Sequence, residues 1–174
     1  MINVDDVIES QFIELTTPDN IIVGVIYRPP NDNFELFKES LLQLLQKLNS
    51  QKKKCFLMGD INSDLLKVEE NQHTNDILNY MFSSSFYPLI SRPTRITSTS
   101  ATLIDNIFVN SLEDSFTSGL LLTDISDHLP IFQITTTIAN AYTTPINERK
   151  HRKITSETLA LLNQKLKCES WKEV

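Results

Sequence analysis

Three acids, an amide and a histidine carry the chemistry that this sequence can do. Asp60 and Asn62 follow the run Cys55-Phe56-Leu57-Met58-Gly59, and Asp105 interrupts Leu103-Ile104-Asp105-Asn106-Ile107-Phe108. Asp127 and His128 stand in Ser126-Asp127-His128-Leu129-Pro130, directly before the β-prone stretch 131–138. Strand side chains alternate faces, so Asp60 and Asn62 share a side if the extended geometry persists through Ile61. A carboxylate and a neutral amide then point into one pocket. On a phosphodiester the first aligns a water or supports a metal, and the second donates to a non-bridging oxygen. A strand closed by a Gly-Asp turn that Asn62 caps accounts for the same residues. What favours chemistry is repetition: a carboxylate inside an apolar run has to be paired or metal-bound, and three such acids recur, one beside a histidine.

These groups need strands to hold them and helices to cover the strands. Residues 7–15 alternate imperfectly and read as a strand, with a turn at Thr17-Pro18-Asp19-Asn20. The β-branched run 21–27 predicts a buried central strand, which Pro29 and Pro30 stop. Asp32 and Glu35 have the spacing of a capping box, and Phe34, Phe37, Leu41, Leu44, Leu45 and Leu48 repeat at helical spacing. That helix ends near the Lys52-Lys53-Lys54 run, which reads as mainly solvated. Further on, the sequence predicts a polar loop over 67–74 that contains His73, a short helix over 75–82 and a brief strand over 87–90. His73 has no acid or cysteine at metal-ligand spacing and is given no role. The stretch 91–102 is rich in Arg, Ser and Thr, side chains suited to phosphate contacts. Strands over 103–110 and 119–122 follow, and a last helix from 155 onward carries Leu159, Leu162 and Leu166.

Composition narrows the class. The chain has 174 residues, enough for one domain with a real core, and 40% of them are hydrophobic. No apolar run approaches the roughly 20 residues of a membrane span, and the N-terminus lacks a signal-peptide pattern, so an intracellular protein is expected. Cys55 and Cys168 read as plain thiols. The net charge of −6 sits awkwardly with nucleic-acid binding. Residues 140–174 hold seven Lys/Arg against four acids, so the tail is basic and the body acidic. A divalent cation would relieve the acidic pocket locally, and Arg28, Arg92 and Arg95 can supply a positive rim.

In their order, Gly59-Asp60-Ile61-Asn62, Ile104-Asp105-Asn106-Ile107-Phe108 and Ser126-Asp127-His128-Leu129-Pro130 resemble the endonuclease/exonuclease/phosphatase superfamily of metal-dependent phosphoesterases. The stretches 22–31, Ile-Val-Gly-Val-Ile-Tyr-Arg-Pro-Pro-Asn, and 92–97, Arg-Pro-Thr-Arg-Ile-Thr, look like the endonuclease domains of non-LTR, LINE-type retrotransposons. The resemblance runs from about Glu9 to about Thr137. After it, a segment ending in 166–174 with Trp171 is similar to the linker that precedes a reverse transcriptase. It implies an α/β fold, a partial four-layer α/β/β/α sandwich, with a domain over 1–139 and a basic linker and helix over 140–174.

The resemblance also implies roles. His128 is the general base, available in neutral form because its reference pKa is about 6.5, and Asp105 holds its imidazole. Asp60 positions the attacking water, Asn62 stabilises the charged transition state, and Tyr27 donates its phenol to a phosphate, although a core-edge tyrosine explains that position too. Asp127 helps to hold Mg²⁺, or Mn²⁺ in its place. Arg28, Asn31, Arg92, Arg95, Thr97 and Ser98 are the expected DNA contacts. The product would be a nick with a 3′-hydroxyl, and a reverse-transcriptase domain would be the covalent neighbour. In the family an asparagine and a metal-binding glutamate lie on earlier strands than any seen here, with Glu9 and Glu14 on a later one. The expectation is therefore a sandwich lacking early strands, with two alternatives to a working nuclease: an inactive remnant or nucleic-acid-binding module, and another phosphatase of the superfamily.

Overall fold

The computed structural model describes residues 7–16, 20–30, 33–112, 116–135 and 155–168. The chain divides into two compact units, Met1–Ala141 and Tyr142–Val174. In the first, five strands form one sheet in the order β1 (Glu9–Leu15), β2 (Ile21–Tyr27), β3 (Cys55–Asp60), β7 (Asp105–Val109), β4 (Tyr87–Pro88). Among the described residues only β2 and β3 run parallel. Their connection carries α1 (Phe34–Ser50), as a parallel crossover requires.

Period-two alternation sorts the sheet into two faces. Ile22, Gly24 and Ile26 of β2 stand in register with Cys55, Leu57 and Gly59 of β3 and face the helices. Against them α1 buries Phe34, Phe37, Leu41, Leu44, Leu45 and Leu48, and α2 (Gln72–Ser83) buries Ile77 and Met81. The other face carries a smaller cluster of Ile21, Phe56 and Val109. It is covered in part by a two-stranded sheet of β8 (Phe116–Leu120) and β9 (Ile131–Thr135), whose Phe116 meets Phe56 edge-on at 6.0 Å. Helix layer, main sheet and partial second sheet make this an α/β fold with an incomplete second β layer among the described residues. A third pair, β5 (Arg95–Ile96) and β6 (Ala101–Thr102), forms a small hairpin.

Several elements differ from the sequence reading. The cap of α1 is Asn33, whose side chain accepts from Leu36 N–H at 3.3 Å; Asp32, read as the cap, lies outside the described residues. Helix α2 begins three residues earlier than its apolar positions suggest, because Asn71 caps it by accepting from Thr74 N–H at 3.2 Å. His73 therefore sits in this helix rather than in a solvated loop, and its ring stacks on Phe34 with centroids 3.8 Å apart. The stretch 91–102 contains the β5–β6 hairpin, closed by a turn in which Thr97 Oγ1 accepts from Ser100 N–H at 3.0 Å.

In the second unit, α3 spans Ser156–Cys168 with Glu157 in its first turn and Lys165 and Lys167 in its last, the polarity that a helix dipole favours. Trp171 and the stretch 136–154 lie outside the described residues. Among the described residues no helix is long and apolar enough to cross a membrane.

Candidate active site

The parallel pairing of β2 with β3 and the antiparallel pairing of β3 with β7 bring three site candidates into one row. Tyr27 is in register with Asp60, and Asp60 with Asp105. All three lie at the same end of the sheet on the face away from the helices, and Tyr27 is exposed there. His128 reaches this row from the segment before β9. Its Nδ1 lies 3.0 Å from Asp105 Oδ2 and 3.3 Å from Oδ1. One donor atom from each of Asp60, Asp105 and His128 falls within 4.8 Å of the others. Beside them a cavity of about 400 Å³ opens between Val25, Met58 and Gly59 on one side and Leu129, Pro130 and Ile131 on the other, with Asp105 and His128 in its wall.

Local backbone geometry aims these side chains. Gly59 adopts φ +147°, and a β-carbon there would run into the carbonyl of Ile26. Only glycine allows β2 and β3 this close an approach next to Asp60. Beyond Asp60 the extended geometry ends: Asn62 has φ +44°, a left-handed conformation that asparagine tolerates. Asn62 N–H donates to Asp60 Oδ1 at 2.8 Å, and Asn62 Nδ2 donates to the carbonyl of Arg28 at 2.7 Å. Asp60 and Asn62 are thus linked through a turn and not by strand alternation.

Burial is the main cause that holds the Asp60 carboxyl above its usual pKa; the Asn62 N–H opposes it and the negative charge of Asp105 reinforces it. Two half-buried carboxylates that repel each other, beside an imidazole, form a donor set that a divalent cation fits. Two carboxylates suit a hard ion such as Mg²⁺ or Mn²⁺, with remaining positions open to water and phosphate oxygens.

The other expected site residues are spread more widely. Asp127 is outside the group of three: its Oδ2 accepts from Arg95 Nε at 2.7 Å, and the two are exposed. Arg95 holds the Asp127 carboxyl below its ordinary range, and Asp127 in turn raises the Arg95 guanidinium. The Arg95 backbone bridges to His128, so the pair borders the site. The Arg28 guanidinium packs over Phe37 at 4.8 Å and Phe34 at 5.4 Å and donates to Ser63 Oγ at 2.7 Å. Arg92 is exposed and lines a different cavity of about 410 Å³, together with Ser118 and Leu122. Thr97 closes the hairpin turn, Ser98 is exposed at its tip, and Asn31 lies outside the described residues.

Two supporting residues went unread in the sequence. Ser126 Oγ accepts from His128 N–H at 2.9 Å. The Asn106 side chain is fully buried and pairs with both backbone groups of Ile90, at 3.2 and 2.9 Å, so it extends the edge of β7 as a strand would. The signal for Asn106 was its place in an apolar run, where a polar side chain needs buried partners.

Among solved structures, the endonuclease domain of TRAS1, a telomere-specific non-LTR retrotransposon, matches with a TM-score of 0.58 at 17% identity. The match covers 72% of this chain and 61% of that one. The Xenopus laevis APE2 catalytic domain matches with a TM-score of 0.55 at 19% identity, over 72% of this chain and 54% of that one. An endonuclease/exonuclease/phosphatase family protein from Leptotrichia buccalis C-1013-b matches with a TM-score of 0.50 at 16% identity, over 74% and 53%. The chain thus spans roughly half to three-fifths of these relatives, and the likeness establishes the fold. No curated protein sequence matches it. Residues 21–132, which contain Asp60, Asp105 and His128, match the model of one sequence family, and by that match the chain belongs to the endonuclease-reverse transcriptase family.

Proposed function

We propose that this chain is the DNA-nicking endonuclease segment of a non-LTR retroelement, hydrolysing a phosphodiester by water attack with the help of Mg²⁺ or Mn²⁺. The observation that carries the reading is the Asp60–Asp105–His128 group at the end of the sheet. With Nδ1 of His128 turned to Asp105, its Nε2 is the ring nitrogen left to take a proton from water. Asp60 orients that water, and the Asn62 N–H fixes the Asp60 carboxylate in turn. The second amide hydrogen of Asn62 Nδ2 and the Tyr27 phenol are donors for the phosphoryl oxygens. The water oxygen bonds to phosphorus while the P–O3′ bond breaks; the leaving O3′ takes a proton from solvent and His128 later returns its own to solvent, leaving a 5′-phosphate and a 3′-hydroxyl.

Asp60 and Asp105 would hold the cation, which when bound neutralises charge on the phosphoryl group. Arg95, oriented by Asp127, and exposed Arg92 then serve as phosphate contacts, and Thr97 and Ser98 present the hairpin turn to DNA. In this reading the domain ends near residue 139, the basic stretch from 140 onward leads toward a reverse transcriptase, and the protein acts inside the cell, on DNA.

A supercoiled-plasmid assay on the purified chain tests this, with Mg²⁺, with EDTA, and with His128→Ala. Nicking that needs both the metal and His128 is the expected result. Nicking that persists in EDTA or in His128→Ala overturns it. DNA binding without cleavage by a folded sample leaves a nucleic-acid-binding module.

A further inference from the structure

We propose that Thr94 is a positioning residue, whose buried hydroxyl and carbonyl together set the spacing between Asp105 and His128. The proposal rests on the reading of those two residues as the catalytic pair. Thr94 is 0% exposed, although it stands between two arginines in Arg92-Pro93-Thr94-Arg95. Its Oγ1 accepts from Asp105 N–H at 3.0 Å and from Ile104 N–H at 3.2 Å. Its carbonyl accepts from Leu129 N–H at 2.6 Å, one residue past His128. One residue therefore grips the backbone on both sides of the Asp105–His128 bond.

The topology explains why a side chain is needed there. Strand β7 has β4 as its outer neighbour, but β4 pairs only with Val109 and Phe108. Toward Asp105 the edge of β7 has run out of strand, and the Asn106 side chain and the Thr94 hydroxyl take over its hydrogen bonds. On the other side the same segment is bonded to the histidine loop: Arg95 bridges to His128 and Ile96 N–H donates to the carbonyl of Asp127 at 2.8 Å. The backbone N–H of Thr94 is fixed as well, donating to the carbonyl of Thr102 at 2.9 Å. Thr94 thus bonds to both elements that carry the pair, and Arg95 and Ile96 continue its hold on the histidine loop. A shift of about 1 Å between reacting groups can cost on the order of 100-fold in rate.

Thr94→Val keeps shape and removes the acceptor, whereas Thr94→Ser keeps the acceptor and removes the methyl group. Nicking kinetics are measured on both, together with side-chain ¹⁵N spectra of His128 that need no turnover. In Thr94→Val, kcat is expected to fall roughly 10- to 100-fold with KM within about twofold, and the hydrogen-bonded Nδ1–H signal of His128 disappears. Thr94→Ser keeps that signal and stays within about threefold of the parent in kcat. The proposal fails if Thr94→Val keeps the parent kcat and spectrum, or if Thr94→Ser is as impaired as Thr94→Val, which would assign the effect to methyl packing. Should Thr94→Val not fold, the spectrum of Thr94→Ser decides: a lost Nδ1–H signal overturns the proposal and a retained one supports it. If the parent chain nicks no DNA, the functional reading falls and the spectra still decide on Thr94.

Discussion

The two faces of the main sheet are built unequally. Toward the helices, Phe37, Leu41, Leu45 and Leu57 are fully buried in one continuous cluster. On the opposite face Val25 is 51% exposed and Ile13 on the edge strand 55%, and the cluster beside them holds three buried residues, Ile21, Phe56 and Val109. Asp60, Asp105 and His128 stand at the border of this sparsely covered face. Burial is concentrated on the side that meets α1 and α2, while the proposed site occupies the side that is left open to solvent. An open cleft and a close-packed core make opposite demands on the same strands, and period-two alternation satisfies both.

Gly59 is where the two demands meet, and changing it should break the molecule most. Gly59→Ala forces a β-carbon against the Ile26 carbonyl at a φ of +147°, so β2 and β3 must part next to Asp60. A loss of about 3 kcal/mol or more is expected, from backbone strain and overpacking together. Chemical denaturation measures it; a loss under about 1 kcal/mol would mean that the strands separate there easily.

A paired truncation sharpens the contrast between the faces. Leu57→Ala removes a fully buried side chain from the helix-facing cluster and should cost about 2–5 kcal/mol. Ile13→Ala on the open face should change stability by no more than about 0.5 kcal/mol. Equal losses in urea unfolding would contradict the unequal faces.

On the proposed reading, Asp60→Asn should trade activity for stability. The Asp60 pKa is raised above 3.8 in the folded state, chiefly by burial, so between 3.8 and its folded value the native chain keeps a proton that the unfolded chain has lost. Stability therefore falls as pH rises through that window, and the full penalty persists above it. Asp60→Asn should be more stable than the parent at neutral pH in EDTA, by less than Leu57→Ala loses, and its stability should vary less with acid pH. Nicking should fall with the lost carboxylate. Lower stability at neutral pH would show that Asp60 is better served by its neighbours than its burial indicates.

What could be read in advance, and what could not, follows from the range of each interaction. The row of Asp60 and Asp105 was legible because strand periodicity is local and an acid in an apolar run stands out. The turn at Asn62 was not, since φ +44° departs from the alternation that the preceding residues suggest. The ion pair between Arg95 and Asp127 joins residues 32 positions apart, so the motif around Asp127 gave no sign of it. His73 looked like a loop residue because nothing near it is apolar, while its partner Phe34 lies on another helix. Thr94 was the hardest to read: a hydroxyl between arginines suggests phosphate contact, and burial is settled only by the fold.

The smallest effect tests the helix-facing side with a chemical probe. Cys55 begins β3 within the large cluster, is 0% exposed, and its thiol is pushed up to about 12 by burial. Cys168 in α3 is exposed. Alkylation requires thiolate and access, so at pH 8 in native buffer one thiol per chain should react promptly, at Cys168, and Cys55 only when the protein is unfolded or opens locally. Mass mapping of the alkylated peptides separates the two. Because opening of the cluster gates Cys55, its labelling rate should rise in Leu57→Ala, where the cavity adjoins the same strand, and stay near the parent rate in Ile13→Ala. Were Cys55 to label as fast as Cys168 in the parent chain, the helix-facing cluster would not be the stable side, and the assignment of stability to one face and chemistry to the other would have to be reversed or abandoned.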